Sequence, residues 1–306
     1  MFSLMKMLVF LGLVQLCLGE RRLTALVQQP PLVLTYHKGA LLQGDLLVNV
    51  VWYGHFTAVQ RSIVGDFIAS LSQKGKEKSP AVSSWWELTE EYSAKAGRPS
   101  TTNVLLGKQV VDEKCSLGKS LKRTQIKDLA AKAVAFNGIT LVLTSKDVAV
   151  EGFCMSSCGL HDSAPLAKGL KEKFAYIWVG NSETQCPGQC AWPFHQPLYG
   201  PQTPPLVAPN GDVGVDGMII NIASLLAGTV TNPFGNGYFQ GAATAPMEAA
   251  SACPGMYGKN AYPGYAGDLL VDSASGASYN ANGVNGRKYL LPALWNPKTS
   301  ACSTLV

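Results

Sequence analysis

The residues best suited to chemistry in this chain are cysteines, and four of them form two pairs of equal spacing. Three residues separate Cys154 from Cys158, and three separate Cys186 from Cys190. In an exported chain such residues form disulfides by default, and the two pairs can either close locally or cross-link to each other. The spacing also allows a four-cysteine zinc site, which an oxidising compartment disfavours. The disulfide candidates are Cys115, Cys154, Cys158, Cys186, Cys190, Cys253 and Cys302. Because their number is odd, one thiol stays unpaired or pairs between chains.

Two of the four histidines lie close to these cysteines. His161 follows Cys158 and precedes an aspartate, and His195 lies in the segment WPFHQP after Cys190. If disulfides join the two loops, the imidazoles could approach each other. Histidine is a common metal ligand and an acid or base near neutral pH, so this pair is the candidate for a catalytic or metal role. The alternative is that each histidine bonds the backbone of its own loop.

Other catalytic patterns are weak. The chain has no G-x-S-x-G motif, and Ser156, Ser157 and Ser163 are only neighbours of His161 in the sequence. The paired acids Glu90-Glu91 are interpreted as part of a solvated face, and Asp212 with Asp216 as groups at a helix start. We therefore assign no catalytic residue and no cofactor.

The elements that would position these residues alternate between strands and helices. Patterns rich in β-branched and aromatic residues predict strands over residues 46–56, 104–111, 139–144 and 174–179. Amphipathic patterns predict helices over residues 58–71 and 122–136, and another helix that opens at Ser79-Pro80 with the proline in its first turn. Ser84 with Glu87 suggests a capping box inside that helix. The order predicts an α/β (mixed α+β) fold with a mixed sheet covered by helices.

A buried central helix is predicted within residues 213–241, where nearly every position from Met218 to Val230 is apolar. Asp216 is the expected cap, and Asn232-Pro233 ends the helix. The resulting length of about 15 residues is short of the roughly 20 that cross a bilayer. After residue 233 the chain becomes rich in glycine, asparagine and tyrosine, which predicts a loop-rich C-terminal part held by disulfides.

The first 19 residues have the pattern of a secretory signal peptide. Lys6 supplies a positive charge, residues 7–18 are apolar, and Cys17 and Gly19 place small residues before a cleavage site. Residues 20–35 are interpreted as an extended lead-in and residues 36–306 as a single domain. The mature protein is therefore expected to be secreted and to have no membrane span.

Charge and aromatic content restrict the class of partner. The net charge is +5 with scattered lysines, so the dense basic stripe of a nucleic-acid-binding protein is missing. Flat aromatic rings in loops can stack on sugars, although packing is the alternative. The aromatic residues concentrated in the second half are Trp178, Trp192, Phe194, Tyr199, Tyr238, Phe239, Tyr257, Tyr262 and Tyr265.

Several long and distinctive segments follow one another along the chain. They include GDLLVNVVWYGHFTAVQRSIVGDFIASL, PAVSSWWELTEEY, DEKCSLGK, ITLVLTSKDVAVEGFCMSSCGLH, QCPGQCAWPFHQP, GVDGMIINIASLLAGTVTNPFGNGYFQG and CPGMYGKNAYPGYAGDLLVD. Together they resemble the plant EXORDIUM-like, phosphate-induced protein family, and the resemblance runs from about Tyr36 to Val306. It implies a plant apoplastic or cell-wall protein linked to growth and to carbon, hormone or phosphate status. It implies no catalytic residue.

The central helix is also similar, more faintly, to the H-E-x-x-H helix of zinc metallopeptidases. In that register Ser224 and Gly228 replace the two histidines and Leu225 replaces the glutamate, so none of the three can bind or activate as the motif requires. The scaffold expected from this resemblance is zincin-like and lacks its metal site.

The leader and the family resemblance together imply a secreted, non-catalytic protein of the apoplast or cell wall that regulates plant growth. Its partner would be a wall polysaccharide or a receptor ectodomain, and neither nucleic acid nor a cofactor is expected. The alternative is a divergent hydrolase, metallopeptidase-like or glycan-active, that uses His161 and His195.

Overall fold

A five-stranded mixed sheet organises the fold. The computed structural model describes residues 31–99, 101–134, 137–155, 157–167 and 170–306. The strands are β1 (Gly44–Tyr53), β2 (Thr102–Asp112), β3 (Gly138–Thr144), β4 (Gly159–Pro165) and β5 (Lys173–Gly180). Their order in the sheet is β2-β1-β3-β5-β4, with β4 antiparallel to β5 and the other pairs parallel. The predicted mixed α/β fold is confirmed.

The three inner strands are buried almost throughout, as expected for a parallel sheet covered on both faces. Their runs of valine, isoleucine, leucine and aromatic residues fit a pleated surface that has no solvent side. The strand β4, with the sequence GLHDSAP, has three consecutive polar residues at its centre and lies at one edge of the sheet. The sequence analysis missed it.

The helices α1 (Ala58–Ser70), α2 (Val82–Lys95) and α3 (Arg123–Ala130) flank the sheet, and a 3-10 turn, Ala131–Ala133, follows α3. A capping box between Thr57 and Gln60 starts α1 where it was predicted. The predicted start of α2 is wrong. Its cap is Ala81, so Pro80 lies outside the helix and the Ser84–Glu87 pair does not cap it.

The central helix α4 spans Val213–Thr231, 19 residues, which is longer than predicted. The added length lies at its start, where Asp212 and not Asp216 is the cap and accepts a hydrogen bond from the backbone N–H of Val215 at 2.9 Å. Within the part of the chain described, α4 is the one helix long and apolar enough to cross a membrane by length and composition. Because 78% of its most apolar window is buried, we interpret it as the central helix of the core.

Asp216 is instead a carboxyl group buried inside α4. Only 1% of the residue is exposed, and its two oxygens accept hydrogen bonds from the backbone N–H and side-chain amide of Asn210, at 2.9 and 2.7 Å. Burial raises the pKa of Asp216 to about 7, although these hydrogen bonds oppose the shift.

This raised pKa predicts a specific pH dependence of stability. Between about pH 4 and pH 7 the folded chain holds a proton at Asp216 that the unfolded chain has lost. The contribution of this proton to the free energy of unfolding is therefore full at low pH and disappears as the pH rises to about 7. The free energy of unfolding of the wild type should fall relative to that of Asp216→Asn by up to about 1.4 kcal/mol per pH unit in this window. Urea unfolding at several pH values measures it, and parallel curves for the two proteins would contradict it.

Short paired segments complete the fold around the sheet. Residues Val33–Val306 form one compact unit. The predicted leader, residues 1–19, lies outside the described residues, as does most of the predicted lead-in. The C-terminal part is rich in loops, as expected. The paired segments are Thr35–Tyr36 with Tyr238–Phe239, Ser120–Leu121 with Ala149–Val150, Leu270–Val271 with Ser278–Tyr279, Ala281–Asn282 with Lys288–Tyr289, and Leu294–Asn296 with Ala301–Ser303, beside a 3-10 turn at Val284–Gly286 and a four-residue helix at Pro187–Cys190.

Candidate functional site

Three disulfides fix the loops around the edge strand β4 and the C-terminal part. The two cysteine pairs cross-link to each other, and the structure contains the bridges Cys154–Cys186, Cys158–Cys190 and Cys253–Cys302. Among the described residues Cys115 is the free thiol, and it is buried. The four paired cysteines of the first two bridges are therefore not zinc ligands here. They join the segment before β4 to the helix Pro187–Cys190.

This arrangement places His161 on β4, against α4. His161 lies opposite Ile177 of β5 in the sheet register. Its Nε2 donates a hydrogen bond to Glu248 Oε2 at 2.7 Å, and both side chains are largely buried. The second oxygen of Glu248 accepts a hydrogen bond from the side-chain amide of Asn232 at 2.7 Å. Asn232 in turn accepts one from the backbone N–H of Gly237 at 2.7 Å, so the network ties β4 to the end of α4 and to the loop that follows.

Gly228 makes room for this pair. A Cβ atom at that position would lie 2.8 Å from Glu248 Oε2 and 3.4 Å from His161 Nε2. In the register of the zinc-metallopeptidase motif, position 228 corresponds to a metal-binding histidine. Here glycine leaves that position without a side chain, and His161 and Glu248 form their contact beside it. Ser224 bonds its own helix, donating to the Ile220 carbonyl oxygen at 2.9 Å.

His161 is badly placed to act as a general base. Nε2 is engaged by Glu248, and Nδ1 is shielded from solvent with no hydrogen-bond partner in the described chain. A base must come within hydrogen-bond reach of the proton that it removes, and in this arrangement both nitrogens are turned away from solvent. Among the described residues no group of three or more His, Cys, Asp and Glu side chains could hold a metal ion.

His195 does not join His161. It is exposed, its Nδ1 donates to the carbonyl oxygen of the adjacent Gln196 at 2.9 Å, and it does not line the cavity beside His161. Disulfides do connect the two loops, but strand pairing directs His161 towards α4. Of the nearby serines, Ser163 lies on β4, Ser157 receives a hydrogen bond from Arg123 at 3.4 Å, and Ser156 lies outside the described residues.

A cavity of about 800 Å³ opens beside the pair. One wall is the edge strand, from Gly159 to Ser163, and the other is formed by residues 233–235 and 243–246. Arg123 and Lys173 also line it. This volume is in the range of ligand-binding cavities.

The aromatic residues divide into packed and exposed groups. The buried ones are Trp178, Phe194, Tyr238, Phe239 and Tyr257. In contrast, the residues Tyr199 and Tyr262 are 84% and 64% exposed. Tyr262 borders a smaller pocket of about 330 Å³ with Trp192 and Met256.

Sequence reasoning missed Glu248 and gave Asn232 only the role of helix stop. Glu248 follows a proline-containing loop with no periodic pattern, so no local signal identified it. Its importance arises from the fold, which brings it to a strand 87 residues away in the sequence.

Comparison with known proteins confirms the family resemblance. Residues 34–305 match the family described as phosphate-induced protein 1 conserved region. The chain is 61% identical to protein PHOSPHATE-INDUCED 1 of Nicotiana tabacum, with 99% of this chain and 98% of the relative covered. It is 58% identical to protein EXORDIUM of Arabidopsis thaliana, with 98% of each covered, and 32% identical to EXORDIUM-like 6 of the same plant, with 96% and 94% covered. No solved structure matches the chain. The chain therefore belongs to the family of the EXORDIUM and phosphate-induced 1 proteins.

Proposed function

We propose that this protein is secreted to the apoplast, takes part in the regulation of plant growth, and acts without catalysis by binding a cell-wall polysaccharide. The names of its relatives and the resemblance described above support the growth-related role. The three disulfides are consistent with an extracellular protein. The observation that carries the binding proposal is the exposed aromatic surface at Tyr262, which we call the aromatic platform and define by Trp192, Tyr262 and Tyr265.

The ring of Tyr262 is held in place although it is exposed. Tyr262 and Tyr265 exchange backbone hydrogen bonds of 3.1 and 2.8 Å, and their ring centroids lie 5.1 Å apart. A pre-positioned exposed ring loses little conformational freedom when a flat sugar face stacks on it.

Polar groups fixed beside the ring suit a sugar ligand. The Tyr265 hydroxyl donates to Oδ1 of Asp268 and the Asn260 amide donates to Oδ2, both at 2.7 Å. The hydrogen bond from Tyr265 is the main cause that lowers the pKa of Asp268, so this carboxylate stays ionised near neutral pH. Carboxylates and amides are good partners for sugar hydroxyls.

The platform predicts the effect of two substitutions at one residue. Tyr262→Ala should weaken binding to soluble wall polysaccharide about tenfold, because a stacking contact of about 1.4 kcal/mol is lost. Tyr262→Phe keeps the ring and should bind like the wild type. Affinity electrophoresis or calorimetry with pectic, xyloglucan and arabinogalactan fractions measures this. Equal binding by the alanine variant would contradict the platform, and no binding of the wild type to any fraction would contradict the proposed function.

The non-catalytic part of the proposal is supported by the geometry at His161. Nε2 is engaged by Glu248, Nδ1 is shielded from solvent, and His195 does not line the cavity beside His161. The alternative of a divergent hydrolase would need both histidines in one cleft. The zincin-like scaffold stays a proposal, supported by the position of Gly228 beneath His161 and Glu248.

A further inference from the structure

We propose that β4 binds an extended, acidic segment of another polypeptide, which adds a strand to the open edge of the sheet inside the cavity beside His161. This site is separate from the aromatic platform, and its ligand belongs to a different class. The argument rests on the backbone of β4, on the shape of the cavity and on two cationic side chains.

The backbone groups of β4 that face away from β5 can be identified from the hydrogen bonds at its two ends. Before the strand, the Cys158 carbonyl oxygen accepts a hydrogen bond from Gly180 at 3.3 Å, and after it the Leu166 N–H donates to Glu172 at 2.9 Å. Antiparallel pairs alternate between bonded and non-bonded residues. The even-numbered residues of β4 therefore bond β5, and Gly159, His161 and Ser163 direct their N–H and C=O groups to the open edge.

These outward groups are mostly unused. Within the described ranges, the Ser163 N–H alone has a partner, the carboxylate of Asp162 at 2.6 Å. The N–H and C=O groups of Gly159 and His161 have no partner within the described residues. An unpaired strand edge is a template for pairing with another chain.

The cavity matches the length of a short strand. Its wall contains five consecutive residues of β4, from Gly159 to Ser163. Four steps of about 3.3 Å make this edge about 13 Å long, which suits a peptide of four or five residues. The opposite wall, residues 243–246, is loop backbone and does not pair with β4.

The charges along the edge favour acidic side chains on the bound segment. Arg123 lies near the start of β4, where it donates to Ser157, and Lys173 lies opposite Pro165 at the other end. Both are exposed, and neither forms an ion pair with a described residue. The acids of the cavity are already bonded within the protein, since Asp162 accepts from Tyr176 and Ser163 and Glu248 accepts from His161 and Asn232. These carboxylates keep their negative charge, but Arg123 and Lys173, at the two ends of the edge, are the side chains open to pairing with acids of the bound segment.

The first test is the selection of peptides from a displayed library of random eight-residue sequences on the immobilised, oxidised full chain. Acidic peptides should be enriched. Lys173→Glu should weaken their binding about tenfold, and the matched charge reversal Lys127→Glu, on the exposed face of α3, should leave it unchanged. If no peptide is enriched, or if both reversals act equally, the proposal is wrong.

The second test reads out the backbone pairing itself. N-methylation along a selected peptide should abolish binding at alternate positions and spare the ones between, because only alternate N–H groups face β4. Ser163→Pro should weaken binding about five- to tenfold because its ring obstructs the edge, whereas Ser163→Ala leaves the edge unobstructed and should bind normally. If N-methylation abolished binding at positions that do not alternate, strand addition would be wrong. This result does not depend on whether Ser163→Pro folds.

The two proposals can fail separately. Binding of wall polysaccharide should respond to Tyr262→Ala and not to Lys173→Glu, and peptide binding should show the opposite pattern. If a wall oligosaccharide competes with the selected peptides at the β4 edge, the cavity is a sugar site and the proposal for a polypeptide is wrong.

Discussion

Replacement of Glu248 by alanine should lower the free energy of unfolding by about 3–5 kcal/mol. Glu248 is 7% exposed, and its carboxylate accepts hydrogen bonds from His161 and Asn232. Its removal leaves both donors buried without an acceptor, and a buried donor that loses its partner carries the full cost of its desolvation. Urea unfolding measures the change, and the exposed Glu172→Ala, expected within about 0.5 kcal/mol of the wild type, is the control.

A double-mutant cycle separates this pair from general packing loss. Glu248→Ala and His161→Ala should be less destabilising together than the sum of the two, with an interaction energy of about 2 kcal/mol. Glu248→Gln keeps the oxygen that accepts from Asn232 and should lie between the wild type and the alanine variant. Additive effects in the cycle would show that the contact between His161 and Glu248 contributes little.

The sequence predicted the inner sheet and α1 because their signals are local. Runs of β-branched residues in β1, β3 and β5 need no distant partner to be recognised, and Thr57 with Gln60 is a complete cap within four residues. The boundaries of α4 were less accurate, because two acids four residues apart both resemble caps. Burial decided between them, with Asp212 at the half-exposed helix start and Asp216 inside the core.

The edge strand and the site could not be predicted in the same way. The segment GLHDSAP has little strand propensity of its own, and it becomes β4 through pairing with β5. His161 was recognised by residue type, but its partner was expected to be His195. Glu248 contacts it only because the chain returns after α4 to lie beside β4, and no local pattern encodes that return.

Among the single bridges, Cys253–Cys302 is expected to cost the most stability when it is removed. It closes 49 residues of a loop-rich region, and the other two bridges lie elsewhere in the chain. Chain entropy predicts that Cys253→Ala with Cys302→Ala costs about 4 kcal/mol. Chemical denaturation of the purified double variant measures the loss, and a loss below about 1 kcal/mol would mean that packing alone fixes the C-terminal part.

The two bridges before β4 should behave differently, because they are parallel links between the same segments. With Cys158–Cys190 in place, Cys154–Cys186 closes a ring of only about eight residues, four from each segment, so its removal should cost about 2.5 kcal/mol. Removal of both bridges should cost about 6 kcal/mol and release the segment that positions the start of β4. Peptide binding at the edge should then be lost with the second bridge, whereas polysaccharide binding at the aromatic platform should survive in the molecules that remain folded. If removal of the first bridge alone abolished both peptide binding and polysaccharide binding, the cross-linked loops would instead support the entire domain.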